Sequence, residues 1–139
     1  MRIRIFYDET VYRYKGWLKL KDLTGKILAS EKRKPGEINF IITTDRKLKD
    51  INVEFLEHNY FTDVITFNYN TGNIVSGEIY ISIDTVKDNA GIYETGLKKE
   101  MSRVMIHGIL HLAGYDDKSD EEKQLMRKME DFWLDKLGF

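Results

Sequence analysis

A chain of 139 residues with 42% hydrophobic and 32% charged side chains has the composition of an ordinary globular domain, large enough to bury a core without covalent staples. Cysteine is absent, which excludes a disulfide framework and any thiolate metal site. The net charge of −1 hides an asymmetry: residues 1–50 carry 13 Lys/Arg against 7 Asp/Glu, and residues 51–139 carry 9 against 16. A basic half permits contact with a polyanion, and an unevenly dealt solvated surface explains it equally well. The opening Met-Arg-Ile-Arg-Ile-Phe lacks the apolar block of a signal peptide, and no run nears the roughly 18–20 apolar residues of a membrane span. A cytoplasmic protein without membrane contact is expected, with residues 1–139 forming a single domain.

The elements follow in chain order. Arg2 to Tyr7 reads as a strand by alternation, and Val11 to Arg33 carries Tyr14, Trp17, Leu18, Leu20 and Leu28 at loosely helical spacing, with Gly25 expected to interrupt it. Lys34-Pro35-Gly36 is a turn signal ahead of a strand over Ile38–Ile42. Thr44 and Asp45 open a helix to about Glu57 with Leu48, Ile51 and Phe55 inward. A β-hairpin follows, its strands marked by Ile65, Phe67, Tyr69 and by Ile79, Ile81, Ile83, with Asn70-Thr71-Gly72-Asn73 as the turn. Asp84 opens a helix to about Tyr93, and Thr95 caps a longer one reaching Ala113. Ser119 with Glu122 matches a capping box before a last helix carrying Leu125, Met129, Phe132 and Leu137. The fold class is therefore α+β: one mixed sheet of about four strands, including an antiparallel hairpin, packed with about five helices.

The chemistry concentrates in His107-Gly108-Ile109-Leu110-His111-Leu112-Ala113-Gly114-Tyr115-Asp116-Asp117, on a helix of the C-terminal half, which holds two of the chain's three histidines. A spacing of four puts both imidazoles on one helix face, about 6 Å apart along the axis, within reach of one ion. Gly114 can end the helix in a left-handed turn that returns Asp117 as a third ligand, with Asp116 as the runner-up. Two imidazoles buried unpaired among Ile106, Ile109, Leu110 and Leu112 would cost a few kcal/mol, which coordination removes. His, His and Asp with an open fourth position is the pattern of a catalytic zinc, and such an ion lowers the pKa of bound water toward ~7 and polarises phosphoryl oxygens. Position 108 is glycine, so the carboxylate base of the His-Glu-x-x-His peptidases is missing. These residues by themselves specify metal-assisted hydrolysis, with a zincin-like metallopeptidase the lesser alternative and histidines used only for packing a third.

His-Gly-x-Leu-His-Leu-x-Gly-Tyr-Asp resembles the signature of the YbeY family, metal-dependent endoribonucleases of ribosomal RNA maturation and ribosome quality control. Thr62-Asp63-Val64-Ile65-Thr66-Phe67 resembles the family's T-[ND]-V-L-S-F strand, and Gly77-Glu78-Ile79-Tyr80-Ile81 its G-D-I-x-I strand. Asp120, Glu122, Met126 and Glu130 stand where its D-x-E…M…E helix falls, so the similarity spans roughly residues 38–139. The resemblance implies an endoribonuclease with one Zn2+ or another divalent ion on His107, His111 and Asp117, ribosomal RNA or ribosomal particles as partners, and no organic cofactor; a metal-binding ribosome-assembly factor that does not cut is the alternative. The family spacing selects Asp117 over Asp116, although the family's third ligand is usually histidine. The arginine that the family usually has ahead of its T-[ND]-V-L-S-F strand falls at Leu56, and Arg103, one turn before His107, is the candidate replacement for contact with substrate, against the simpler reading of a salt-bridged helix residue. His58 reads as a polar loop residue, Glu78 as an exposed acid that could act as a base if its strand faces the metal, and Trp17 and Trp133 as core. The general base and acid are not identified.

Overall fold

The computed structural model describes residues 2–56 and 62–139; the expected helix end at Glu57 and the loop residue His58 lie outside them. The element order is β1 (Arg2–Tyr7), α1 (Trp17–Ser30), β2 (Lys34–Thr43), α2 (Asp45–Leu56), β3 (Val64–Asn68), β4 (Ile74–Ser82), α3 (Ile83–Ile92), α4 (Leu97–Leu112) and α5 (Asp120–Lys136). The four strands form one sheet in the order β1-β2-β4-β3, parallel except for the β3–β4 hairpin, which pairs Val64 with Ile81 and Asn68 with Gly77. The expected α+β architecture is therefore observed.

Strand alternation sorts side chains onto the two faces. Ile38, Phe40, Ile42, Ile79 and Ile81 point to one face and bury against α1 and α4, which contribute Leu20, Ile27, Met101, Met105 and Ile109. Ile65 and Tyr80 point to the other, where α2 covers them with Leu48 and Ile51. Phe55, expected inward on α2, is 61% exposed and meets the Phe67 ring edge-on.

Three expectations are corrected. Gly25 does not interrupt α1, which runs through it from Trp17 to Ser30; burial of Leu23, Ile27 and Leu28 around it outweighs the 0.5–1 kcal/mol a helical glycine costs. Residues 11–16 are not helical, and Tyr14 instead sends its buried hydroxyl to Ser102 on α4. Lys34, Pro35 and Gly36 begin β2 rather than form the turn, which falls just before them, at Lys32 with φ +57°. Pro35 is tolerated because β1 pairs with β2 only from Glu37 onward and the pairing with β4 is irregular between Pro35 and Ile38. In addition, Gly96 rather than Thr95 stands at the N-cap of α4. The Ser119 capping box is present, with both reciprocal bonds made.

What fixes the position of α4 is close approach to the hairpin. A Cβ at Gly108 would lie 2.7 Å from Cγ2 of the fully buried Ile79, and one at Gly77 would lie 2.9 Å from Leu112. Asn70, in the hairpin loop, donates from Nδ2 to the Leu112 carbonyl at 2.8 Å and so satisfies a carbonyl left open at the helix end. Gly108→Ala tests this contact. At an open helical site it would stabilise by 0.5–1 kcal/mol, whereas crowding against Ile79 predicts a net loss of about 1–2 kcal/mol in urea unfolding; a gain would contradict the packing.

Candidate metal centre

The side chains of His107 and His111 leave α4 on one face, with ring planes 10° from parallel and centroids 6.2 Å apart. Each ring is held through Nδ1, by a different device. Gly114 takes φ +113°, its N–H bonds the His111 carbonyl, and the N–H of Tyr115 bonds the Leu110 carbonyl, which closes the end of α4 and reverses the chain. The reversal brings the Tyr115 carbonyl to 2.9 Å from Nδ1 of His111. A carbonyl only accepts, so that ring carries its proton on Nδ1 and presents the Nε2 lone pair. The hydroxyl of Tyr115 donates to Glu31 at 2.6 Å and ties the reversed segment to the end of α1.

His107 is held by α5. Its Nδ1 lies 2.8 Å from Oε2 of Glu130, whose other oxygen is 3.1 Å from Arg103; Arg103 in turn reaches Asp131 at 2.8 Å. Glu130 is 5% exposed, so this is a buried, fully engaged carboxylate joining the two helices. Burial by itself would push the His107 imidazole down, but the hydrogen bond and charge of Glu130, with Asp117 and Asp63 behind it, outweigh burial and raise its pKa. A carboxylate on the far nitrogen of a histidine orients the ring and strengthens it as a metal donor.

Asp117 arrives from the reversed segment with Oδ2 3.4 Å from Nε2 of His107. His107, His111 and Asp117 thus face one cavity of about 640 Å³. As they stand the donors are neighbours rather than converged, and among the described residues no three His, Asp or Glu side chains are drawn close enough to hold an ion without adjustment. The donor chemistry nevertheless fits a divalent metal: one lone pair on a fixed tautomer, one carboxylate-backed imidazole and one carboxylate. Asp116, the runner-up, is exposed and does not line the cavity.

Other expectations sort out against this geometry. Arg103 lines the cavity, but both its amino groups are committed to Glu130 and Asp131, and its side chain is 11% exposed; it holds Glu130 rather than reaching for substrate. Glu78 sits on the sheet face turned away from α4, accepts from the hydroxyls of Tyr69 and Tyr80, and is no candidate base. Trp133 is buried and Trp17 is partly buried, edge-on to Phe40. Three carboxyl groups of the site drew no individual role from the sequence. Glu130 lies on the buried stripe Met126, Glu130, Trp133 of α5, and an acid on an apolar stripe is the signal that marks it. Glu100 lies two turns before His107 on α4 and is 6% exposed, and burial raises its pKa against the pull of Arg103 and Arg127. Asp63, just before β3, is raised by burial and pulled back in part by His107.

Two anchored imidazoles and a carboxylate line one cavity, on a helix packed so closely on Ile79 at position 108 that the His-Glu-x-x-His arrangement is absent. The comparisons with known proteins supply the class. The family profile of Endoribonuclease YbeY matches residues 12–138, a longer stretch than the motifs alone cover. The Endoribonuclease YbeY of Flavobacterium johnsoniae is 42% identical over 126 residues, covering 91% of each chain, and that of Cytophaga hutchinsonii is 41% identical over 93% of this chain and 91% of its own. The solution structure of TM1509 from Thermotoga maritima is 30% identical and superimposes with a TM-score of 0.68 over 97% of this chain and 88% of that one. The chain belongs to the YbeY endoribonuclease family, whose members are metal-dependent hydrolases of RNA phosphodiester bonds.

Replacing Glu130 by Gln keeps the shape and removes the charge behind His107. The affinity for a divalent metal, read by competition with a chelating dye, should fall 10–100-fold, and an unchanged affinity would show that Glu130 does not support the donor.

Proposed function

We propose that residues 1–139 form one endoribonuclease domain that cleaves ribosomal RNA in the course of its maturation and quality control, with ribosomal particles as its setting and the cytoplasm as its compartment. His107, His111 and Asp117 would hold a single divalent ion, zinc by donor type. When bound, that ion supplies Lewis-acid polarisation of the scissile phosphate and a more acidic water at neutral pH. The protein's part is to fix the donors and shape the cavity. Glu130 and the Tyr115 carbonyl set the two imidazoles, the Gly114 reversal delivers Asp117, and the apolar residues behind α4 keep solvent from that side. No helix among the described residues is long and apolar enough to cross a membrane.

The observation that carries this reading is the pair of Nδ1 anchors, which commit both rings to presenting Nε2 to one cavity beside Asp117. Histidines used only for packing would not need a buried carboxylate and a dedicated chain reversal. A peptidase is disfavoured sterically as well as chemically, because a glutamate at position 108 would run into Ile79.

The test is elemental analysis of wild type and His111→Ala, paired with cleavage of a ribosomal RNA fragment. Wild type should carry about one metal equivalent and lose cleavage on chelation, and His111→Ala should lose the metal and at least 100-fold in rate. Wild type that cleaves casein but leaves RNA intact would overturn the substrate assignment, and full metal content in His111→Ala would overturn the ligand assignment.

A further inference from the structure

The charge of the cavity, as lined, does not suit a polyanion. Four carboxyl groups line it, Asp63, Glu100, Asp117 and Glu130, against three cations, Arg103, Lys118 and Arg127. Arg103 is neutralised on the spot by Glu130 and Asp131. With its four acids ionised against three cations the lining sums to −1, so a single divalent ion leaves a net of only +1, while RNA brings one negative charge per nucleotide and is gripped chiefly by Lys and Arg on its phosphates. The basic first fifty residues do not help, since no cation from that half lines this cavity among the described residues.

Lys118 and Arg127 differ in kind from Arg103. Both are exposed, both line the cavity, and neither forms an ion pair among the described residues. Lys118 follows Asp117 directly, and Arg127 is on α5 three residues before Glu130, so both stand on the wall that also carries the proposed ligand and the anchor of His107. Their charges reach acids without a side-chain ion pair: Arg127 acts on Glu100 through space, and Lys118 on Glu122, which is already engaged in the capping box. Two exposed cations lining an acidic cavity, one a planar fork and one a compact point charge, are the groups that take phosphate oxygens.

We propose that Lys118 and Arg127 form a phosphate clamp that seats the RNA backbone over the His107–His111–Asp117 site. The proposal rests on the endoribonuclease reading above and adds to it the residues that hold the substrate. Such contacts are sequence-independent: they position the strand and do not select bases.

The experiment measures binding of zinc-loaded protein to a fluorescein-labelled, all-2′-O-methyl RNA 12-mer by anisotropy between 50 and 200 mM salt. For a single strand, each phosphate contact contributes about 0.7 to the slope of log affinity against log salt. Lys118→Gln and Arg127→Gln should each lower the slope by about that amount and weaken binding roughly tenfold at low salt, with metal content unchanged. The charge-keeping variants Lys118→Arg and Arg127→Lys should keep the wild-type slope. If wild type binds and both neutral variants keep its slope and affinity, the clamp is wrong while the endoribonuclease reading stands. If wild type does not bind RNA at all, that reading fails and the clamp falls with it.

Discussion

The carboxylate of Glu130 is the interaction on which the site depends. It is buried at the α4–α5 contact and meets His107 at 2.8 Å with one oxygen and Arg103 at 3.1 Å with the other. A lone carboxylate placed there would be strongly unfavourable, and removing one partner of a buried ion pair typically costs about 3–5 kcal/mol. The arrangement is stable only as a set: Arg103 neutralises Glu130, Glu130 orients His107, and His107 keeps Nε2 for the cavity. The same contact that packs the two helices therefore determines which nitrogen faces the cavity.

The rest of the fold serves to place α4. The helix meets Ile79 at Gly108 and Gly77 at Leu112 in close approaches that disfavour sliding, and Asn70 closes its end from the hairpin loop. Its C-terminus then reverses at Gly114, and this one turn does two jobs: the Tyr115 carbonyl fixes His111, and Asp117 comes back beside His107. Both imidazoles thus stand on a packed helix, and only the carboxylate of Asp117 is carried by a loop. Gly108 illustrates how fold and chemistry meet. The same absent side chain that allows the helix to touch the sheet also removes the base that a peptidase would use.

Much of this was legible in the residues. The i, i+4 histidines, the glycine that follows and the acid beyond it are local features, and local spacing on a helix translates directly into geometry. The hairpin, the capping box at Ser119 and the α+β class were readable for the same reason. What could not be read depended on contacts distant in sequence. Gly25 looked like a break, because its helical cost is visible in the sequence while the burial of Leu23 and Ile27 that offsets it is not. Pro35 looked like a turn, because whether a strand can accept it depends on where its neighbour begins to pair. Arg103 was a candidate for substrate because its partners, Glu130 and Asp131, lie more than twenty-five residues away. Glu130 was visible only as a motif position, although an acid on the buried stripe of α5 was a sign that it had a partner to satisfy.

On the proposed reading, two anchored imidazoles and one returning carboxylate share an ion in the α4–α5 cavity. Anomalous scattering from crystals grown with zinc addresses it most directly. A single strong peak is expected in that cavity, roughly 2.0–2.2 Å from Nε2 of both His107 and His111 and from a carboxylate oxygen of Asp117. A peak bound through other residues, with Nε2 of either histidine left without metal, would contradict it.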